Sequence, residues 1–284
     1  MFKKLIEYLR FDFFFIHRKI SFIFYKFFTE RALKNLFFSN NLDKLINLKS
    51  TSIKKKDVVQ DPVKKNLGKQ YNPEIIDLSR LYKFVKNEKP LTILEFGVGY
   101  STIVMAQAIY ENYLMFNKKK KSSIRNSNLF KIFSVDTSKK WISNTKKKLP
   151  KHLRKFVNFS YSEVSTILYN GEVCHKYDKI PNINPEFIYL DGPHPLDPKG
   201  QINNISFQCK ERTPIAADIC FLESTLLPGS TILVDGRTNN VRFLLRNLKR
   251  KYLVKWDRHG DVTFLKLSEK RLGNLNKLGF EYFD

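Results

Sequence analysis

The chain has 284 residues, 51 Lys and Arg against 27 Asp and Glu, and a formal net charge of +24. At 42% hydrophobic and 14% aromatic it can fill a sizeable core, which excludes wholesale disorder, and its length suits one large domain or one domain with an appendage. Three cysteines, Cys174, Cys209 and Cys220, with no CxxC pair, exclude a disulfide scaffold and a cysteine zinc site and point to a reducing, cytoplasmic compartment.

Residues 1–48 set Phe, Ile and Tyr between single charges. Arg10, Asp12, Arg18, Lys19 and Lys26 interrupt every window long enough to span a bilayer. No small-residue cleavage site follows the divided apolar run, so a secretory signal is not expected either. Three readings stand: an aromatic, basic helical extension packed on the main domain, one in peripheral contact with a membrane surface, or a surface for a partner. Residues 49–73 lose apolar side chains, gain Lys, Pro and Gly, and read as a linker.

From residue 74 to 268, helical periods alternate with short apolar strands, the pattern of a parallel α/β sheet. Pro73–Lys89 is helical. Leu91–Phe96 is a strand that runs through GVGYST into a helix, and Asn117–Asn128 is a solvated loop. Strands are expected at Lys131–Asp136, Phe156–Tyr161, Glu186–Asp191 and Ser230–Asp235, with helices after the second, fourth and fifth. Tyr252–Asp257 and Asp261–Leu267 read as a closing hairpin, and 269–284 as a C-terminal tail.

Chemistry concentrates at the strand ends. Gly97 and Gly99 let the backbone turn and approach a ligand. Thr102 stands where a dinucleotide fingerprint has its third glycine, and Glu95 would repel a pyrophosphate yet suit a cation. These features and the closing hairpin weigh against a nicotinamide-dependent enzyme. Asp136 is placed either to accept a ribose diol or to cap the helix opening at Ser138.

Glu95-Phe96-Gly97-Val98-Gly99, the acidic Asp136, Phe187–Pro195 (FIYLDGPHP) and Leu226–Asp235 (LLPGSTILVD), in this order, resemble the motifs of class I S-adenosylmethionine-dependent methyltransferases. Ser230 replaces the second glycine of the last motif. The resemblance covers Pro73–Leu267 and implies a Rossmann-like, doubly wound, mostly parallel seven-stranded sheet ending in an antiparallel hairpin. It also implies S-adenosylmethionine as cofactor, with Glu95, Gly97, Gly99, Ser101 and Thr102 around its methionine part, Asp136 on the ribose, and Ser162 or Glu163 facing the adenine.

At the mouth of the same crevice, Asp191 is a candidate to position the methyl acceptor and His194 to take its proton. Arg237 and Asp235 are candidate substrate contacts, Arg237 and Arg242 suiting an anionic group. Asp191 with Asp235 suits a divalent metal, as in catechol-type O-methyltransferases, but Gly236-Arg237 follows where that group carries an amide residue. The expected activity is methyl transfer to a small-molecule or glycan/lipid-type acceptor, at oxygen. The rival is a non-catalytic nucleic-acid or membrane-surface binding protein on the same fold, which rests on the +24 charge. The charge itself divides into Lys runs on surfaces, while the crevice motifs are acidic.

Overall fold

The computed structural model describes residues 25–48, 73–116, 124–209, 211–273 and 276–283. The expectations for residues 1–24, for 49–72 of the linker and for the Lys118–Lys121 run lie outside these.

After a π-helical turn (Tyr25–Glu30) come α1 (Arg31–Ser39) and the short α2 (Leu42–Leu45). Leu33 and Phe37 repeat at helical spacing. Phe37, Leu42 and Ile46 are buried in one core with Leu78, Leu81, Tyr82 and Val85 of α3 (Ile75–Glu88). Those four positions of α3 are spaced i, i+3, i+4, i+7, the stripe that lets a helix bury one face. The Tyr82 hydroxyl sits at the junction, 3.1 Å from Asn40 Oδ1 and 2.7 Å from Glu111 Oε2, the carboxylate to which it donates. Residues 31–48 thus pack on the main domain.

The main sheet follows. Its strands are β1 (Thr92–Phe96), β2 (Lys131–Asp136), β3 (Val157–Tyr161), β6 (Phe187–Leu190), β7 (Thr231–Asp235), β8 (Tyr252–Asp257) and β9 (Val262–Leu267). Helices α4 (Tyr100–Met115), α5 (Lys139–Lys148), α6 (Asp218–Leu222) and α7 (Thr238–Asn247) connect them. The order is β3-β2-β1-β6-β7-β9-β8, parallel except for β9, which runs antiparallel to both neighbours. Every residue of β1 and β6 is buried, as expected of central strands covered on both faces.

The chain winds outward from β1 through β2 to β3, then returns to the other side of β1 as β6 and β7. Crevices for ligands open at such a reversal, beyond the carboxyl ends of the strands. The register makes these ends level: Phe96 pairs with Val135 and Leu190, and Leu190 with Val234. Gly97, Asp136, Asp191 and Asp235 therefore emerge side by side.

One element departs from the sequence reading. Residues 164–177 form a separate hairpin, β4 (Val164–Tyr169) and β5 (Glu172–Tyr177), joined by Asn170-Gly171 with φ of 48° and 78°. Two consecutive positive φ values are what an Asn-Gly hairpin turn requires. The hairpin's outer edges hold the loop after β6. Thr166 donates its N–H to the Lys199 carbonyl (2.7 Å) and Lys199 its N–H to Val164 (2.8 Å), while His175 N–H reaches Ile215 (2.8 Å). The long helix expected around 216–227 shrinks to α6 and a single turn, Glu223–Thr225.

Candidate active site

At the level strand ends lies a cavity of about 1470 Å³. Glu95, Gly97, Gly99, Ser101, Asp136, Asp191, His194, Asp235 and Arg237 all line it. The turn after β1 forms its floor. Gly97 has a φ of +104°, and a Cβ there would stand 3.2 Å from the Gly192 nitrogen, so the position demands glycine twice over. Gly99 is extended, and a Cβ on it would meet nothing within 4 Å, standing in open cavity instead.

Glu95 is buried beneath this turn. Its carboxylate accepts the hydroxyls of Ser101 (2.6 Å), Thr102 (2.7 Å) and Ser134 (2.5 Å). Burial pushes it up to about 7 against the pull of these donors. Thr102 also accepts the Gly99 N–H at 3.1 Å. It does not line the cavity, so it acts on any ligand through Glu95 and the turn.

Asp136 bridges two backbone segments at the cavity floor. Oδ1 accepts the Ser138 N–H (2.6 Å) and Oδ2 the Val98 N–H (3.0 Å), locking the β1 turn to the end of β2. Ser138 itself caps α5, accepting the Trp141 N–H. A carboxylate has about four acceptor positions, so two remain for a ligand diol. Burial raises Asp136 to about 7.

The side of the cavity beyond β6 and β7 carries Asp191, Asp235 and Asp77 of α3. Tyr189 donates its hydroxyl to Asp235 Oδ2 at 2.6 Å. Burial, then the charges of Asp191 and Asp77, hold Asp235 well above the usual carboxylate range. The Asp191 carboxyl is also raised, chiefly by desolvation at the cavity mouth although the residue itself is exposed, an effect the Arg237 guanidinium opposes. Arg237 donates to the backbone carbonyls of Asp191 and Pro193, bracing the loop after β6. Arg242 stands outside the cavity.

Three placements differ from expectation. Ser162 and Glu163 do not line the cavity. Ser162 turns inward, donating to the Glu163 carbonyl (2.7 Å) and accepting from Lys179 N–H (2.9 Å), and Glu163 is an exposed partner of Lys199. Trp141, Tyr161 and Asp197 line that end instead, Asp197 accepting the Thr137 hydroxyl at 2.5 Å. His194 Nδ1 accepts the Leu196 N–H at 3.2 Å. With Nδ1 so engaged, a neutral ring carries its proton on Nε2, which the surrounding loop buries.

The metal reading does not fit the residues present. Among the described residues no group of three or more His, Cys, Asp or Glu is placed to hold an ion, Asp235 is engaged by Tyr189, and a guanidinium stands by Asp191. Asp77, Trp141 and Tyr161 reach the cavity from elements that read as structural in sequence, and Asp197 from the loop after β6. Only Thr137, directly after Asp136, carried a positional signal.

Numbered along the main sheet alone, the strands run 3-2-1-4-5-7-6, with a glycine turn after the first and an acidic residue ending the second. This is the class I methyltransferase fold. No family model matches the chain, and none of the curated proteins does. Among solved structures the chain is similar to the S-adenosylhomocysteine-bound methyltransferase PaMTH1 of Podospora anserina, at 13% identity and a TM-score of 0.42, over 82% of this chain and 94% of that one. It is also similar to an O-methyltransferase from Bacillus cereus in complex with S-adenosylhomocysteine (14%, TM-score 0.38, over 80% and 96%). A third is an O-methyltransferase of tomaymycin synthesis from Streptomyces achromogenes (11%, TM-score 0.39, over 69% and 82%). The fold rests on the strand order, not on likenesses this distant. Among the described residues no helix is long and apolar enough to cross a membrane.

Proposed function

We propose that this chain is an S-adenosylmethionine-dependent methyltransferase acting at an oxygen of a small-molecule or glycan/lipid-type acceptor. One observation carries the reading. In a chain of net charge +24, the level strand ends gather Glu95, Asp136, Asp191 and Asp235 around one cavity floored by a glycine turn. A ligand bearing a sulfonium and an ammonium suits that acidic lining, and the space where a Gly99 Cβ would stand gives its backbone room.

The cofactor supplies an electrophilic methyl on a positively charged sulfur. In this reading Asp136 accepts the ribose hydroxyls with its two remaining acceptor positions. Glu95, already gripping three hydroxyls, sets the charge beneath the ammonium end. Ser101 and Thr102 orient Glu95. The chain's own work is alignment of the acceptor oxygen with the methyl, and removal of one proton. Asp191, whose carboxyl is raised above the ordinary carboxylate range, would take the proton of the acceptor hydroxyl as the methyl passes to that oxygen. Arg237 keeps Asp191 in place through its carbonyl. The domain boundaries at 48, 73 and 268 belong to this proposal.

Calorimetric titration of the full chain with S-adenosylmethionine and S-adenosylhomocysteine tests it. Saturable one-site binding, lost in Asp136→Ala, is the expected result. Absence of binding to either ligand overturns the proposal.

A further inference from the structure

We propose that the surface built by α5, the turn Lys151–Phe156 and β3 is a docking face for the phosphate backbone of a nucleic acid. The inference stands apart from the methyl-transfer reading and does not depend on it.

Between positions 139 and 155 the sequence has eight Lys and Arg and no Asp or Glu. Seen along the chain this is one more Lys run. The fold turns it into a surface. Lys139, Lys140, Lys146, Lys147, Lys151 and Arg154 are exposed, whereas Ile142, Leu149, Leu153 and Phe156 point into the core. Glu163, the carboxylate on the adjoining rim, is already paired with Lys199.

Aromatic rings hold several of these cations in place. Lys139 Nζ lies 4.8 Å from the Tyr161 ring centroid, Lys146 5.5 Å from Phe159, and Lys155 4.7 Å from Tyr113. A ring steadies an ammonium group without neutralising it. The charges are therefore fixed in position and still project their field, which lowers the ordering cost of meeting a polyanion.

Helix energetics do not explain the arrangement. Cations in the last turn of a helix are favoured by its dipole, which accounts for Lys146 and Lys147. Lys139 and Lys140 sit in the first turn of α5, where the same dipole opposes them. Positive side chains added to a positive helix end attract an anion. A series of regularly spaced anions fits a face charged at both ends of one helix.

A nucleic acid fits better than a lipid surface. Lasting attachment to a bilayer needs apolar side chains that reach into it. On this face they are turned inward, and Tyr161 is the exposed large side chain. Lys139, Lys140 and Tyr161 also line the cavity, so a strand lying on the face ends at the cavity rim, where an aromatic ring can stack on a base.

Fluorescence anisotropy of the full chain with a labelled 30-nucleotide single-stranded RNA tests the proposal across a salt series. One variant neutralises the face (Lys146→Gln, Lys147→Gln and Lys151→Gln), and a control neutralises the far edge of the sheet (Lys249→Gln, Lys251→Gln and Lys270→Gln). All six positions are exposed, and circular dichroism melting checks that each variant folds. Wild type should bind with a steep salt dependence. The face variant should lose at least about tenfold in affinity, with a log–log salt slope smaller by roughly 2, at about 0.7 per cation removed. The control should stay within about twofold of wild type. Equal losses in both variants assign the binding to overall charge and overturn the proposal. So does a wild type that co-sediments with phosphatidylserine vesicles yet shows no salt-sensitive RNA binding.

Discussion

The carboxylate of Asp136 and the backbone N–H of Val98 meet at 3.0 Å, tying the end of β2 to the glycine turn after β1. The residue proposed to hold the ribose thus also shapes the floor of the cavity. Both Asp136 and Glu95 are raised to about 7 by burial, and a cationic ligand favours their ionised forms. Binding of S-adenosylmethionine should therefore release protons below pH 7. Its affinity should fall as the pH drops from 7.5 to 5.5, by up to about tenfold per unit for each group. Calorimetry in two buffers of different ionisation enthalpy reads the released protons; an affinity flat over that range counts against the assignment.

The two glycines of the turn should respond differently to alanine. Gly97→Ala forces a left-handed φ and crowds Gly192, so it should cost about 1–3 kcal/mol of stability and lower the melting temperature. Gly99→Ala has extended backbone and free space. It should melt like wild type and lose at least about tenfold in cofactor affinity, because its methyl occupies the ligand's place.

Asp191 and His194 are separable. Asp191→Asn should lower methyl incorporation by about 10²–10⁴-fold while cofactor affinity, read by calorimetry, changes less than about twofold. His194, with Nε2 buried by its loop, is not the base in this reading, so His194→Gln should keep most activity. A His194→Gln variant as inactive as Asp191→Asn would restore the histidine as base.

Without ligand, the carboxyls raised by desolvation, Asp191 and Asp235 among them, govern the response of stability to pH. Glu95, Asp136, Glu186 and Asp218 each rise to about 7, chiefly through burial. Each folded value lies above its unfolded one near 4. Their contribution is complete below pH 4 and is lost as the pH rises through 7, because ionisation then favours the unfolded chain. The ligand-free protein should melt higher at pH 5.5 than at pH 7.5 in scanning calorimetry. The reverse order would mean these carboxyls are not buried as described.

The packing of residues 31–48 has a direct test. Phe37 is fully buried in the core it shares with α3. Phe37→Ala should cost about 3–5 kcal/mol, seen as a lower denaturant midpoint. A cost below about 1 kcal/mol would mean this extension is not part of the core.

Much of this architecture is legible in sequence because its signals are local. Leu94 and Ile93 read as buried strand, the Leu78–Val85 stripe as helix, and Pro228-Gly229 as a stop before β7. The Asn170-Gly171 pair was an equally local hairpin signal. Its flanking strands, Val164–Tyr169 and Glu172–Tyr177, mix polar and apolar residues, so their strand pattern is weak in sequence. Glu95, Asp136, Asp191 and Asp235 were found because each closes or follows a strand, and parallel register brings strand ends together.

What the sequence by itself determined is the order of elements, the acidic strand ends and the glycine turn, since these follow from periodicity and backbone chemistry within a few residues. The tertiary structure alone decided which side chains share a space. It brought Asp77 to Asp235 and Asp197 to Thr137, and turned Ser162 and Glu163 away from the cavity. It also set the cations of positions 139–155 on one exposed face while Ile142, Leu149 and Leu153 turn inward. Such contacts join residues tens to more than a hundred positions apart, and only burial and hydrogen bonding in the folded chain select among them.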